Sequence, residues 1–152
     1  MMRHTRDRLA AMSEQLLFVY GTLRQGSGHA MVEWLVRASE FVDAAVFQGK
    51  LFMVASYPGA VESEDPADRV LGEAYRLLRP LTLLRRLDEY ERCNPHNADA
   101  PYVRRIKPVR LASGAEVAAW VYLYNRPTAG LERITSGDFL RRSGVGSRSF
   151  ES

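Results

Sequence analysis

Leu16-Leu17-Phe18-Val19-Tyr20-Gly21-Thr22-Leu23-Arg24 is the stretch on which the fold turns. Five apolar residues run from Leu16 to Tyr20 without alternation, which describes a strand buried on both faces. Gly21 ends the run and opens a glycine-containing loop that lasts to Gly28. A glycine at this point lets the backbone turn sharply and come close to a ligand. Consecutive N–H groups in such a turn form an anion-binding nest. The loop has neither a Walker Gly-Lys-Ser/Thr pattern nor a GxGxxG, so it does not indicate a nucleotide site. A small carboxylate suits it better, and a tight connection holding no ligand is the plainer alternative.

Working outward, Ser27 is placed to cap a helix running to Val36, with Met31, Trp34 and Leu35 on one face. Residues 41–47 and 51–54 read as two strands joined at Gln48-Gly49. Tyr57-Pro58-Gly59 reads as a turn, and residues 65–68 as an exposed loop around Pro66. Residues 70–77 form another strand, after which Pro80 opens a helix to Glu91. A proline- and asparagine-containing loop follows. Residues 102–111 and 117–124 then make a hairpin whose second strand is apolar on both faces, hence central. Beyond Pro127 the chain is irregular, with one helical turn expected near residues 137–140. This order is neither regular βαβ nor all-β. It predicts a single α+β domain on a curved or barrel-like mixed β-sheet with a few short helices. The domain is expected over residues 16–140, between an extension at 1–15 and a Ser- and Gly-rich, disordered tail at 141–152.

A chain of 152 residues buries about 70% of its extended surface and needs no disulfide or metal staple. Cys93 stands alone, which excludes an intramolecular disulfide and a Cys-rich zinc site. No run approaches the roughly 20 apolar residues that cross a bilayer. The first fifteen residues lack an apolar signal core and contain Asp7 and Glu14, with Met12 as an alternative start. A cytoplasmic protein is expected. The net charge is +3, but the arginine pairs 85–86, 104–105 and 141–142 stand apart from one another. Nucleic-acid binders cluster their charge, so neither nucleic acid nor a membrane surface is expected as a partner.

The helix opened by Pro80 carries the most informative side chain. At about 100° per residue, Leu81, Leu83, Leu84, Leu87 and Tyr90 share an arc, and Arg85, Arg86 and Glu89 face water. Glu91 falls inside the apolar arc and Asp88 at its margin. A carboxylate on a buried face must find a partner or become neutral. The negative end of the helix dipole disfavours its charge further. A carboxyl so perturbed suits general acid/base work. The alternatives are a helix ending earlier, which leaves Glu91 solvated, or simple pairing with an arginine such as Arg104. A nucleophilic site built from Cys93 with His29 or His96 is not supported by any convincing pattern.

Taken together, these segments resemble the γ-glutamylcyclotransferase-like family, which includes the γ-glutamylamine cyclotransferases. Leu17-Phe18-Val19-Tyr20-Gly21-Thr22-Leu23-Arg24 is similar to that family's first strand and substrate loop. Tyr57-Pro58-Gly59, Val70-Leu71-Gly72-Glu73-Ala74-Tyr75 and Leu87-Asp88-Glu89-Tyr90-Glu91 resemble its turn, middle strand and catalytic segment. Tyr102-Val103-Arg104, Ala119-Trp120-Val121-Tyr122 and Ser136-Gly137-Asp138-Phe139 complete the series. The resemblance implies closure of a γ-glutamyl group to 5-oxoproline with release of an amine, without metal or cofactor. It makes Glu91 the proton carrier. The backbone of Gly21, Thr22 and Leu23 would be the carboxylate holder, and Tyr20, Tyr102 and Tyr122 the pocket walls. A monomer or homodimer acting on a small γ-glutamyl substrate follows. Arg92 stands where the family commonly has glycine, which keeps open a ligand-binding protein of the same fold without turnover.

Overall fold

The apolar run becomes β1 (Leu16–Val19), in which Leu17, Phe18 and Val19 are all buried. The computed structural model describes residues 15–24, 31–91 and 100–141. β1 needs apolar side chains on both faces because it lies between two cores. Phe18 joins Phe47, Val70 and Val121 in one. Leu17 and Val19 join Leu35, Leu83, Leu84 and Leu87 in the other.

Helix α1 (Met31–Ala38) buries Leu35 and runs two residues beyond Val36. Ser27, expected as its cap, lies outside the described residues. β2 (Ser39–Met53) is one 15-residue strand, not two strands joined at Gln48-Gly49. That junction is a change of partner. Through Gln48 the strand pairs with β4 (Arg69–Leu77), and from Gly49 it pairs with β3 (Pro58–Glu62). Continuous ladder bonding keeps the chain extended where a local window sees a turn-like pair. Pro58 and Gly59, read from sequence as turn residues, are instead the first residues of β3. A proline is tolerated at a strand's first position. The turn lies just before it, closed by the Val54 N–H donating to the Tyr57 carbonyl at 3.0 Å.

Helix α2 (Pro80–Tyr90) follows β4 and buries Leu83, Leu84 and Leu87. Leu81, assigned to the buried arc, is 83% exposed. A helical wheel treats every turn alike, but this first turn projects beyond the core its later leucines fill. β5 (Tyr102–Leu111) and β6 (Glu116–Tyr124) form the expected hairpin, pairing Tyr102 with Tyr124 and Arg110 with Glu116. A two-residue strand, β7 (Glu132–Arg133), adds to β2, and Phe139–Arg141 forms a 3-10 turn.

The ladder β1–β4–β2–β3–β6 closes because β6 runs parallel to both β1 and β3. β5 flanks β6 antiparallel and also reaches β2. The result is the expected single α+β domain, a mixed barrel with two short α-helices among the described residues. No helix among the described residues is long and apolar enough to cross a membrane. Of the expected extension and tail, Gln15 and Arg141 alone are among the described residues, and Arg141, assigned to the tail, ends the 3-10 turn.

Candidate active site

Helix α2 delivers Glu91. Its leucines fix the helix against the barrel, leaving Arg85, Arg86 and Glu89 exposed. Glu91 is the C-cap, and its N–H still donates to the Leu87 carbonyl at 2.8 Å. It therefore keeps the helical phase of Leu87 and Leu84, one and two turns earlier. The side chain lines a cavity of about 340 Å³ together with Tyr20, Gly21, Thr22 and Leu23. Tyr102 and Tyr122 of the closing hairpin line the same cavity. The structure thus brings every residue expected at the site around one space.

Glu91 is half-buried: the cavity keeps part of its surface accessible while protein encloses the rest. Burial pushes its carboxyl from 4.5 up to about 7. The expected alternative partner, Arg104, is engaged elsewhere. Its Nε and Nη2 donate to the two oxygens of Asp88 at 2.8 and 3.0 Å. Near neutrality Glu91 is therefore divided between its acid and base forms.

The loop is positioned by two contacts. Thr22 Oγ1 and the Tyr90 hydroxyl lie 2.7 Å apart, joining the loop to the residue beside Glu91. Gly21 packs so closely on β3 that a Cβ there would lie 2.8 Å from Pro58 Cγ. Only glycine fits without displacement. The Arg24 N–H closes the turn by donating to the Gly21 carbonyl at 3.0 Å.

The wall tyrosines are committed to the protein. The Tyr20 hydroxyl donates to the Tyr122 carbonyl at 2.5 Å and accepts from the Ala60 N–H at 3.1 Å. The Tyr102 hydroxyl donates to the Pro58 carbonyl at 2.7 Å, and that of Tyr122 to Asp88 Oδ1 at 2.6 Å. Burial, followed by smaller contributions that include the Glu91 charge, raises the pKa of all three. They stay neutral at physiological pH and form part of the cavity wall.

Sequence reasoning left Tyr90 among core residues and Tyr57-Pro58 as a bare turn, yet all three line the cavity, as does Ser56. It also missed the Asp88–Arg104 pair, for which the only signal was a second carboxylate at the edge of the apolar arc. His29, Arg92, Cys93 and His96 lie outside the described residues.

Solved structures share this barrel. An AIG2-like protein from Mus musculus superposes with a TM-score of 0.58 over 72% of this chain and 76% of its own, at 24% identity. YkqA from Bacillus subtilis gives 0.66 at 23% identity, over 90% of this chain. This chain spans 43% of YkqA's length. A barrel whose cavity has one carboxylate among its described lining residues is the frame here of a cyclotransferase-like enzyme, the class that the family match assigns. The family described as Gamma-glutamyl cyclotransferase, AIG2-like matches residues 17–141, and the chain belongs to it. Among curated relatives, the gamma-glutamylcyclotransferase family protein YtfP of Escherichia coli (strain K12) is 34% identical, over 83% of this chain and 96% of its own. A putative gamma-glutamylcyclotransferase of Vibrio cholerae is 32% identical, over 85% and 98%.

Proposed function

We propose that this protein converts a γ-glutamyl amine or γ-glutamyl peptide to 5-oxoproline and a free amine, with Glu91 carrying the protons. The observation that supports it is a carboxyl lifted to about 7 that shares one cavity with the Gly21–Leu23 turn. Backbone N–H groups of that turn hold the glutamyl carboxylate and orient the α-amine toward the γ-carbonyl. Ionised Glu91 takes a proton from the α-ammonium, and the amine nitrogen attacks the γ-carbon to close a five-membered ring. Protonated Glu91 then returns its proton to the departing nitrogen as the γ-amide bond breaks. The ring nitrogen then still carries two of the three ammonium protons. Glu91, ionised again, takes one and passes it to the released amine, which leaves as its ammonium ion while the last proton stays on the lactam nitrogen. One group poised near neutrality serves both steps.

The test is incubation with a panel of γ-glutamyl amines and dipeptides, assaying released 5-oxoproline. Glu91→Gln is expected to lose at least about 100-fold in turnover. Glu89→Gln, which is exposed, should stay within about twofold. Equal turnover in both variants rejects the assignment. Binding of panel members by the wild-type chain without 5-oxoproline release identifies a ligand-binding protein of the same fold.

A further inference from the structure

We infer that Asp88 is a positioning residue that holds Arg104 away from Glu91, so that the proton-carrying carboxylate is not paired with that arginine. This rests on the reading of Glu91 as the acid/base.

Arg104 leaves β5 on the face that builds the cavity. It stands opposite Tyr122 in the β5–β6 ladder and two residues from Tyr102, and both tyrosines line the cavity with Glu91. Cross-strand partners and alternate residues project to one face. A long, permanently charged side chain so placed has an obvious partner in a half-buried carboxylate. Three contacts hold it elsewhere. Two are the parallel bonds to Asp88, a bidentate geometry that fixes the guanidinium plane. The third is the Trp120 ring, whose centroid lies 4.3 Å from the guanidinium carbon. Asp88 in turn sits three residues before Glu91, on the adjoining helical turn. Its Oδ1 also accepts from Tyr122, so Asp88 takes three donors on two oxygens.

Tyr122 registers the charges of Asp88, Arg104 and Glu91 together, so all three lie within electrostatic range of one hydroxyl. The other polar side chains lining the cavity among the described residues are hydroxyls: Tyr20 after β1, Thr22 in the loop, Ser56 and Tyr57 before β3, Tyr90 on α2 and Tyr102 on β5. Among the described residues, Asp88 and Arg104 are thus the charged pair nearest this group of hydroxyls, and as a pair they offset each other. Removing either one leaves the other uncompensated beside Glu91, with opposite effects on its ionisation.

The test is a carboxyl-carbon NMR titration of Glu91, with the pH dependence of kcat/KM beside it. Asp88→Asn keeps the shape and loses the charge. Its Glu91 midpoint should fall by about one pH unit, with the acidic limb of kcat/KM moving equally. Arg104→Gln should move the midpoint upward, and the double variant should return it toward wild type. An unchanged midpoint in Asp88→Asn, or both single variants moving the same way, overturns the inference. Should Asp88→Asn not fold, an unmoved or lowered midpoint in Arg104→Gln does so alone. The titration needs no substrate. A wild-type chain that releases no 5-oxoproline removes the proposed activity, whereas shifts of the stated signs still support the positioning of Arg104.

Discussion

A carboxyl whose pKa rises from 4.5 to about 7 in the folded protein binds its proton more tightly there than in the unfolded chain. Between those two values the folded state holds more protons, so stability falls as pH rises through the window. Below 4.5 both states are protonated and Glu91 costs nothing. Above about 7 the full penalty of an ionised, half-buried group applies. Its upper bound is roughly 3 kcal/mol, lessened by access to the cavity. The sign is opposite to that of a salt-bridged carboxylate, because burial dominates and no cation among the described residues pairs with Glu91. Glu91→Gln removes the charge and keeps the shape. It should be more stable than wild type at about pH 8 by up to ~3 kcal/mol and nearly equal at acid pH. Denaturant midpoints at the two pH values measure this. A difference that does not grow with pH means that Glu91 is solvated in the folded protein. The same burial that suits the group to proton transfer therefore weakens the fold at working pH, a trade expected of active sites.

At the level of strands and turns, the site depends on one loop pressed against the start of one strand. An alanine at Gly21 sets its methyl 2.8 Å from Pro58 Cγ, and one of the two segments must yield. Overpacking of this kind costs about 1–3 kcal/mol. Because the displaced turn is the proposed carboxylate holder, Gly21→Ala should raise KM by about tenfold or more. The midpoint of Glu91 should move little by comparison, since the buried leucines of α2 anchor that residue even though Thr22 touches Tyr90. Steady-state kinetics beside the NMR titration separates the two effects, and an unaltered KM removes the turn from substrate binding. The loop and Glu91 were both legible in the sequence because each rests on local periodicity: an unbroken apolar run for β1, and helical phase for α2. β3 was not legible, since residues 58–62 become a strand only through pairing with β2 and with β6, where Ala60 meets Leu123. The continuity of β2 was hidden for the same reason, its two halves being joined by different neighbours. Periodicity placed two carboxylates on or near one helical arc. It could not tell which would receive an arginine from β5, because that choice is made in the third dimension.

The barrel closes through contacts far apart in sequence, and the segment after β7 adds a clasp across it. The Leu71 N–H donates to the Gly137 carbonyl at 2.8 Å, tying this segment to β4. Next to it, Asp138 Oδ1 accepts from Arg24 Nη1 at 2.6 Å, a bond between residues 114 apart. Arg24 is also the residue that closes the Gly21 turn, so the last motif of the described chain supports the loop after the first strand. Gly137 makes this geometry attainable. Its φ is +74°, and a Cβ there would lie 1.8 Å from the Arg69 carbonyl oxygen, a contact with backbone that no rotamer change relieves. Gly137→Ala is therefore expected to destabilise the fold by at least ~2 kcal/mol, from left-handed strain together with the clash. Gly21→Ala and Gly137→Ala each add one methyl at a tight contact, but only Gly21 lines the cavity. The first should appear mainly in KM and the second mainly in the denaturant midpoint, with the kcat of folded Gly137→Ala protein close to wild type. A Gly137→Ala protein that melts like wild type would show that the clasp does not contribute to closure. One that melts like wild type yet loses kcat would tie Gly137 to the chemistry instead.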